Sequence, residues 1–191
     1  MDVACRPLRS VLLGAVIGAA GAALYSYTNV PVLVVLLWAG AAFVLREPRV
    51  SGFVGIALAV VSLGASSQLF PGTDTAHWAE VLIASQVLPR AAMAVLAWIA
   101  RPAADGAPAN INSTKAVLAI ALGMLSAFLT GWPALLLMAA SLLTVRVALG
   151  WSYQSLGGIN RDSLGWVRQT LEVLVLLIVR LPISSLYFGV R

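Results

Sequence analysis

Residues 155–180 read SLGGINRDSLGWVRQTLEVLVLLIVR, a polar turn running into a long apolar segment. A glycine pair, Gly157 and Gly158, leads into Asp162 and then into a long apolar run. With a helix starting near Asn160, the residues Asp162, Gly165, Gln169 and Glu172 stand at i, i+3, i+7 and i+10. At the helical repeat they fall within an arc of roughly 80°. Leu164, Val167, Leu171 and Leu174 take the opposite side. A polar stripe therefore enters a segment that reads as membrane-spanning, where a carboxylate is expensive unless it faces a cavity, a partner or an ion. Two readings stay open here. Asn160 caps the helix and Asp162 belongs to a solvated first turn, or the stripe is a polar site at the membrane surface.

The rest of the composition agrees with a membrane setting. Of 191 residues, 61% are hydrophobic and only 10% charged, with a mean hydropathy of +0.96. Soluble domains carry about 25% charged residues. The expectation is an all-α, polytopic integral membrane helical bundle forming a single transmembrane domain over residues 1–191. Seven apolar spans are expected, at about 11–27, 30–45, 52–70, 80–100, 115–131, 133–150 and 164–188, against a need of about 20 apolar residues per crossing. The second is short. The fifth and sixth are separated only by Gly131-Trp132-Pro133, so this pair reads either as two crossings or as a hairpin that does not fully cross. Gly14 and Gly18 give a GxxxG pattern, and alanine-rich faces recur, both suited to close helix packing in lipid and leaving room for a homo-oligomer. The first apolar run has no A-x-A exit and continues into further spans, so a cleavable signal peptide is not expected. The single Cys5 excludes an internal disulfide.

The net charge of +5 is almost wholly arginine, with Lys115 the one lysine. In an apolar chain this bias reads as topology before it reads as an anionic partner, and no nucleic-acid surface is expected. The loops alternate. Arg6 and Arg9, then Arg46 and Arg49, then Arg101 and Lys115, then Arg161 and Arg168 mark basic ends, and the intervening loops have no basic residue. The positive-inside rule then places the N-terminus and the basic loops in the cytoplasm of a multi-pass inner-membrane protein. Glu47, Asp105 and Asp162 fall on the same side. Carboxylates and guanidiniums mixed on one face suit a metal ion with a phosphate, and equally suit ordinary loop charges. His77, beside Asp74 and Trp78 in a basic-free loop, reads as an interfacial anchor.

Arg90, Arg146 and Arg180 lie inside spans. Arg146 and Arg180 are near enough to helix ends to snorkel. Arg90 follows Pro89 in mid-span, where the proline frees a carbonyl. It is read either as a buried partner of such carbonyls or of Glu172, or as an anion ligand in a polar cavity. The sequence has no Walker A loop, no H-E-x-x-H, no zinc spacing and no G-x-S-x-G. With one His and one Cys, any catalysis rests on carboxylates, arginines and a hard cation such as Mg²⁺, which takes one or two carboxylates plus substrate phosphates. Asp162 and Glu172 are about 15 Å apart along a helix axis and do not share one ion without a break in the helix.

The run Gly157-Gly158-x-x-x-Asp162-x-x-Gly165-(x6)-Glu172 resembles the last signature of the cobalamin synthase family, adenosylcobinamide-GDP ribazoletransferase. That signature is close to G-G-x-T-G-D-x-x-G-A-(x5)-E before a final apolar helix. Upstream, QVLPRAAMAVLAWIARPAADG (residues 86–106) is similar to the family's stretch around an intramembrane arginine, through Arg90, Arg101 and Gly106. LREPRVSGFVGIALAV (residues 45–60) resembles its K-D-S-R-I-G-x-x-G-x-x-A-L segment through Gly52 and Gly55. The chain departs from the pattern in three places. The family's acidic run E-D-G-L-A-D-x-x-D-G has no counterpart before Glu47, Asn160-Arg161 replaces Thr-Gly, and Trp166 replaces Ala. The resemblance implies a membrane transferase that joins α-ribazole, or its 5′-phosphate, to adenosylcobinamide-GDP and releases GMP. Asp162 would hold Mg²⁺, with Arg90, Arg101 and Arg161 on substrate phosphates, Glu172 in support, and Gly157, Gly158 and Gly165 shaping the backbone. The alternative from another class is a non-catalytic membrane partner or a small anion transporter, with Arg90 on the anion path.

Overall fold

The computed structural model describes residues 7–28, 30–44, 75–100, 102 and 112–180. Among these residues the chain is all helical: α1 (Pro7–Thr28), α2 (Pro31–Val44), α3 (Thr75–Ile99), α4 (Ser113–Leu129), α5 (Ala134–Leu156) and α6 (Arg161–Arg180). They follow the expected spans in order, and the expected span at 52–70 lies outside the described residues. Among the described residues three helices are long and apolar enough to cross a bilayer, Leu8–Thr28, Ala79–Ile99 and Ala134–Ser155, so the count of seven crossings is not confirmed. Ser113–Leu129 is apolar but shorter, α2 has 14 residues, and α6 carries charges within its first three turns.

The ends of these helices follow from local chemistry. Asn112 caps α4 by accepting the Thr114 N–H at 2.9 Å. Gly131, at φ 75, turns the chain after α4, and Pro133 precedes α5. The end of α5 closes on Gly157, which takes the left-handed conformation at φ 67; the N–H groups of Gly157 and Gly158 both reach back to Ser152 O, the latter at 3.2 Å. Asn160 then caps α6. Its Oδ1 accepts both the N–H and the hydroxyl of Ser163 at 2.9 Å, and its own N–H donates to Ser163 Oγ at 3.3 Å, the reciprocal pattern of a capping box.

The centre of the bundle is α3. Its spanning window is 78% buried, against 39% for α1 and 28% for α5. The GxxxG pair of α1 makes the tightest seam. A Cβ on Gly14 would stand 2.6 Å from Gln86 O, and one on Gly18 would stand 2.6 Å from the Cα of Ile83. Only glycine allows α1 to lie this close to the α3 backbone. Since Gly14 meets residues 86–90 and Gly18 meets 82–83, the two helices run antiparallel. On another side, Met93 and Leu96 pack with Leu164, Val167 and Leu171, while Ala84 and Leu88 pack with Val175, so α6 is also antiparallel to α3. α4 crosses α3 through Gly123 against Ala91, and α5 runs alongside α3 through Leu137 and Val145. One end of the bundle thus gathers the starts of α1, α4 and α6 with the ends of α3 and α5. Arg9, Lys115 and Arg161 all lie there and are exposed.

Candidate functional site

The polar residues of the bundle occupy two levels. The first is the basic end. There Pro102, just after α3, forms an isolated parallel bridge with Ile159, just before α6. The glycine turn at 157–158, the Asn160 cap and the bridge together fix the backbone from which Arg161 and Asp162 project, and both side chains are exposed. Asp162 lies in the first turn of α6, where a negative charge complements the helix dipole. Asn160 caps this turn and Asp162 is exposed, as in the first of the two readings left open by the sequence. Arg101, Glu47, Asp105 and Gly106 lie outside the described residues, as do Arg46 and Arg49.

The second level is inside. Arg90 is 1% exposed and Gln86 is fully buried. The Arg90 Nη1 donates to Gln86 O at 2.6 Å and to Gln86 Oε1 at 2.8 Å. Gln86 is not among the partners expected from the sequence, which were the carbonyls freed by Pro89 and Glu172. It stands one turn before Arg90, and the signal available was this i, i+4 spacing of a long amide and a mid-span guanidinium. Arg168 is 3% exposed, and its Nε donates to Glu172 Oε1 at 3.0 Å. The sequence reading placed Arg168 with the loop charges of the basic end. The structure corrects this, because Arg168 lies two turns into α6 and turns inward beside Leu164, Val167 and Leu171. Gly165 is buried on the same helix. Gln86 Nε2 and Gln169 Oε1 are buried without a hydrogen-bond partner among the described residues.

These two levels are well apart. Arg90 is nine residues before the end of α3, roughly 14 Å along its axis, and Glu172 is eleven residues after the start of α6, roughly 17 Å. The structure therefore brings Arg90 and Glu172 to a similar depth, and brings Arg161 and Asp162 together with the glycine turn at the end. It does not bring the two sets together. Among the described residues no three His, Cys, Asp or Glu side chains come close enough to share a metal ion.

A family model described as cobalamin-5-phosphate synthase matches residues 41–180, well over half of the chain. The chain belongs to the cobalamin-5-phosphate synthase family. No curated protein and no solved structure matches it. The family is one of transferases of cobalamin biosynthesis, with cobinamide-GDP and ribazole substrates, and the apolar helices go with a membrane environment. The match takes in both polar levels, from Gln86 and Arg90 to Asp162 and Glu172. It leaves α1, with its glycine seam, to one side. The cobalamin-5-phosphate synthase signature quoted above thus falls across a helix end, a turn and a helix start, with its Asp exposed and its Glu inside.

Proposed function

We propose that this protein joins α-ribazole, or its 5′-phosphate, to adenosylcobinamide-GDP with release of GMP, at the cytoplasmic end of an inner-membrane bundle. The observation that supports this best is the Pro102–Ile159 bridge within the family-matched residues. It ties the segment following Arg101 to the segment leading into Asp162, so the two motif-bearing stretches share one end. In this reaction a ribazole hydroxyl attacks the cobinamide-linked phosphorus. The bridging P–O bond breaks, GMP leaves with its electrons, and the hydroxyl proton goes to solvent. Such a displacement needs positioning and charge neutralisation more than a protein nucleophile.

Asp162 offers one solvent-facing carboxylate, a hard-oxygen donor that fits Mg²⁺ when substrate phosphates and water complete its shell. The ion would supply neutralisation of the diphosphate. Arg161 and Arg101 would take phosphate oxygens, since a guanidinium matches them two at a time. Arg90 is buried roughly 14 Å from the end of α3, which argues against its meeting a phosphate that arrives there. We assign Arg90 and Glu172 to supporting α3 and α6 instead. Without the acidic run of the family, the ion is less preorganised, and Arg161 competes with it for Asp162. Turnover is therefore slow. The test is purified protein in a bilayer with adenosylcobinamide-GDP, α-ribazole and Mg²⁺. Slow, Mg²⁺-dependent GMP release with formation of the joined product is expected. No release above the protein-free rate would overturn the activity, and a rate equal to that of a member carrying the acidic run would overturn the slow turnover.

A further inference from the structure

Between α3, α4 and α5 lies a cavity of about 180 Å³, lined by Leu88, Ala92, Ile120, Met124, Leu142 and Val145 among others. Its one hydroxyl, that of Ser141, is already bonded to Leu137 O at 2.7 Å. The walls are otherwise apolar, and an engineered apolar cavity of about 150 Å³ stays dry and takes up benzene. Water is therefore a poor occupant.

The position of the cavity in the bilayer can be read from aromatic residues. Trp132 and Trp151 are both exposed and nineteen residues apart on the α5 side of the bundle. That separation is roughly 29 Å of helix, close to the ~30 Å hydrocarbon core. Tyr153 and Trp98 are exposed at the same end as Trp151. Trp and Tyr collect at the two membrane interfaces, so the cavity falls inside the hydrocarbon. It is continuous with a broad lipid-facing surface on α5, where Leu135, Leu142, Leu143 and Val147 are exposed. Arg146 follows Val145, stands one turn beyond Leu142, and is exposed. It lies five residues inside the Trp151 level, a distance that an arginine stem covers by snorkelling to the phosphate layer.

We propose that this groove binds one acyl chain of an anionic phospholipid from the leaflet of the basic end, with Arg146 meeting the headgroup phosphate. The apolar groove selects the chain, and the cation at its mouth favours a lipid with net negative charge. The proposal does not depend on the reaction assigned above.

The test is native mass spectrometry of the full chain released from nanodiscs containing phosphatidylglycerol and phosphatidylcholine in equal amounts. The expected result is one retained lipid, enriched in phosphatidylglycerol. Ser141→Phe, which fills the groove, should abolish retention of both lipids. Arg146→Gln should reduce the enrichment about fivefold, the worth of one cation near an anionic surface, and leave phosphatidylcholine retention unchanged. Because Arg146 is exposed, this second variant reads out even where Ser141→Phe fails to fold. Equal retention of phosphatidylglycerol by the native chain and Arg146→Gln would overturn the headgroup assignment. A lipid-free dimer that Ser141→Phe disperses would overturn the proposal in favour of an interface between copies.

Discussion

Two arginine–carboxylate neighbours on α6 are built from the same kinds of side chain and live in different surroundings. Arg168 and Glu172 lie in the bundle, one turn apart, bonded at 3.0 Å. Arg161 and Asp162 stand at the helix start and are exposed. In low dielectric the inner pair stays together, since an unpaired buried charge is heavily penalised. At the surface, water and helix dipole favour the Asp162 charge, and no ion pair holds its carboxylate among the described residues, which keeps its oxygens open to exchange. Depth along one helix thus separates residues that maintain the fold from residues able to take part in chemistry.

The largest effect that this contrast predicts is at Glu172. Glu172→Leu removes the carboxylate that accepts from Arg168 Nε at 3.0 Å and should cost up to about 3–5 kcal/mol of stability, the range for breaking a buried pair. The double variant Arg168→Leu/Glu172→Leu should recover most of that loss, because replacing a whole buried pair by apolar residues is often neutral. Unfolding in mixed micelles measures both. A double variant as unstable as the single one would show that the other contacts of Arg168 outweigh its pair with Glu172.

Asp162 should behave in the opposite way. Asp162→Asn is expected to leave unfolding unchanged within about 0.5 kcal/mol, as for surface substitutions generally. It should reduce GMP release by up to about 10², the low end of the cost of removing a preorganised electrostatic group, since this site is less preorganised. Loss of stability without a specific loss of rate would reverse the assignment of the two levels.

The inner level also depends on α1 closing over α3. Gly18→Ala would put a Cβ 2.6 Å from the Cα of Ile83 and 2.9 Å from Leu82 O, both backbone atoms with little freedom to move. A loss of about 1–3 kcal/mol is expected for such overpacking. Gly40→Ala is the control, since nothing lies within 4 Å of a Cβ there, and its helical glycine makes alanine neutral or mildly favourable. Equal melting of the two variants would mean that the seam is not tight.

Much of this arrangement is legible in the sequence because its causes are local. Gly157-Gly158 followed by Asn160 announces a helix stop and a helix start, and the GxxxG of α1 announces a close seam. The depth of each charge is a tertiary property and is less legible. Arg168 falls where a basic loop was due, and only the packing of Leu164, Val167 and Leu171 against α3 shows that it faces inward. Gln86 carries no charge to draw attention, yet it holds the guanidinium of Arg90. The roles of Arg101 and Asp105 rest on sequence alone, since both lie outside the described residues.

The smallest predicted effect tests how the surface level is held. Asn160 Oδ1 accepts two bonds from Ser163, and its N–H donates a third, so the first turn of α6 has a defined start. Asn160→Ala removes the side-chain acceptor and should cost about 1 kcal/mol, the usual worth of a cap. Asn160→Ser restores an acceptor of similar rank and should return most of it. The activity of these variants separates two roles for Asn160. A residue that only caps the helix changes rate in step with helix-start order, so Asn160→Ser should release GMP nearly as fast as the native chain. A residue that touches substrate would leave Asn160→Ser stable but slow. The first result is expected, because all three bonds of the Asn160 amide and N–H point to Ser163 and the helix start. The second would move Asn160 from the frame of the site into the site itself, and would place the substrate two residues nearer the glycine turn than Asp162 does.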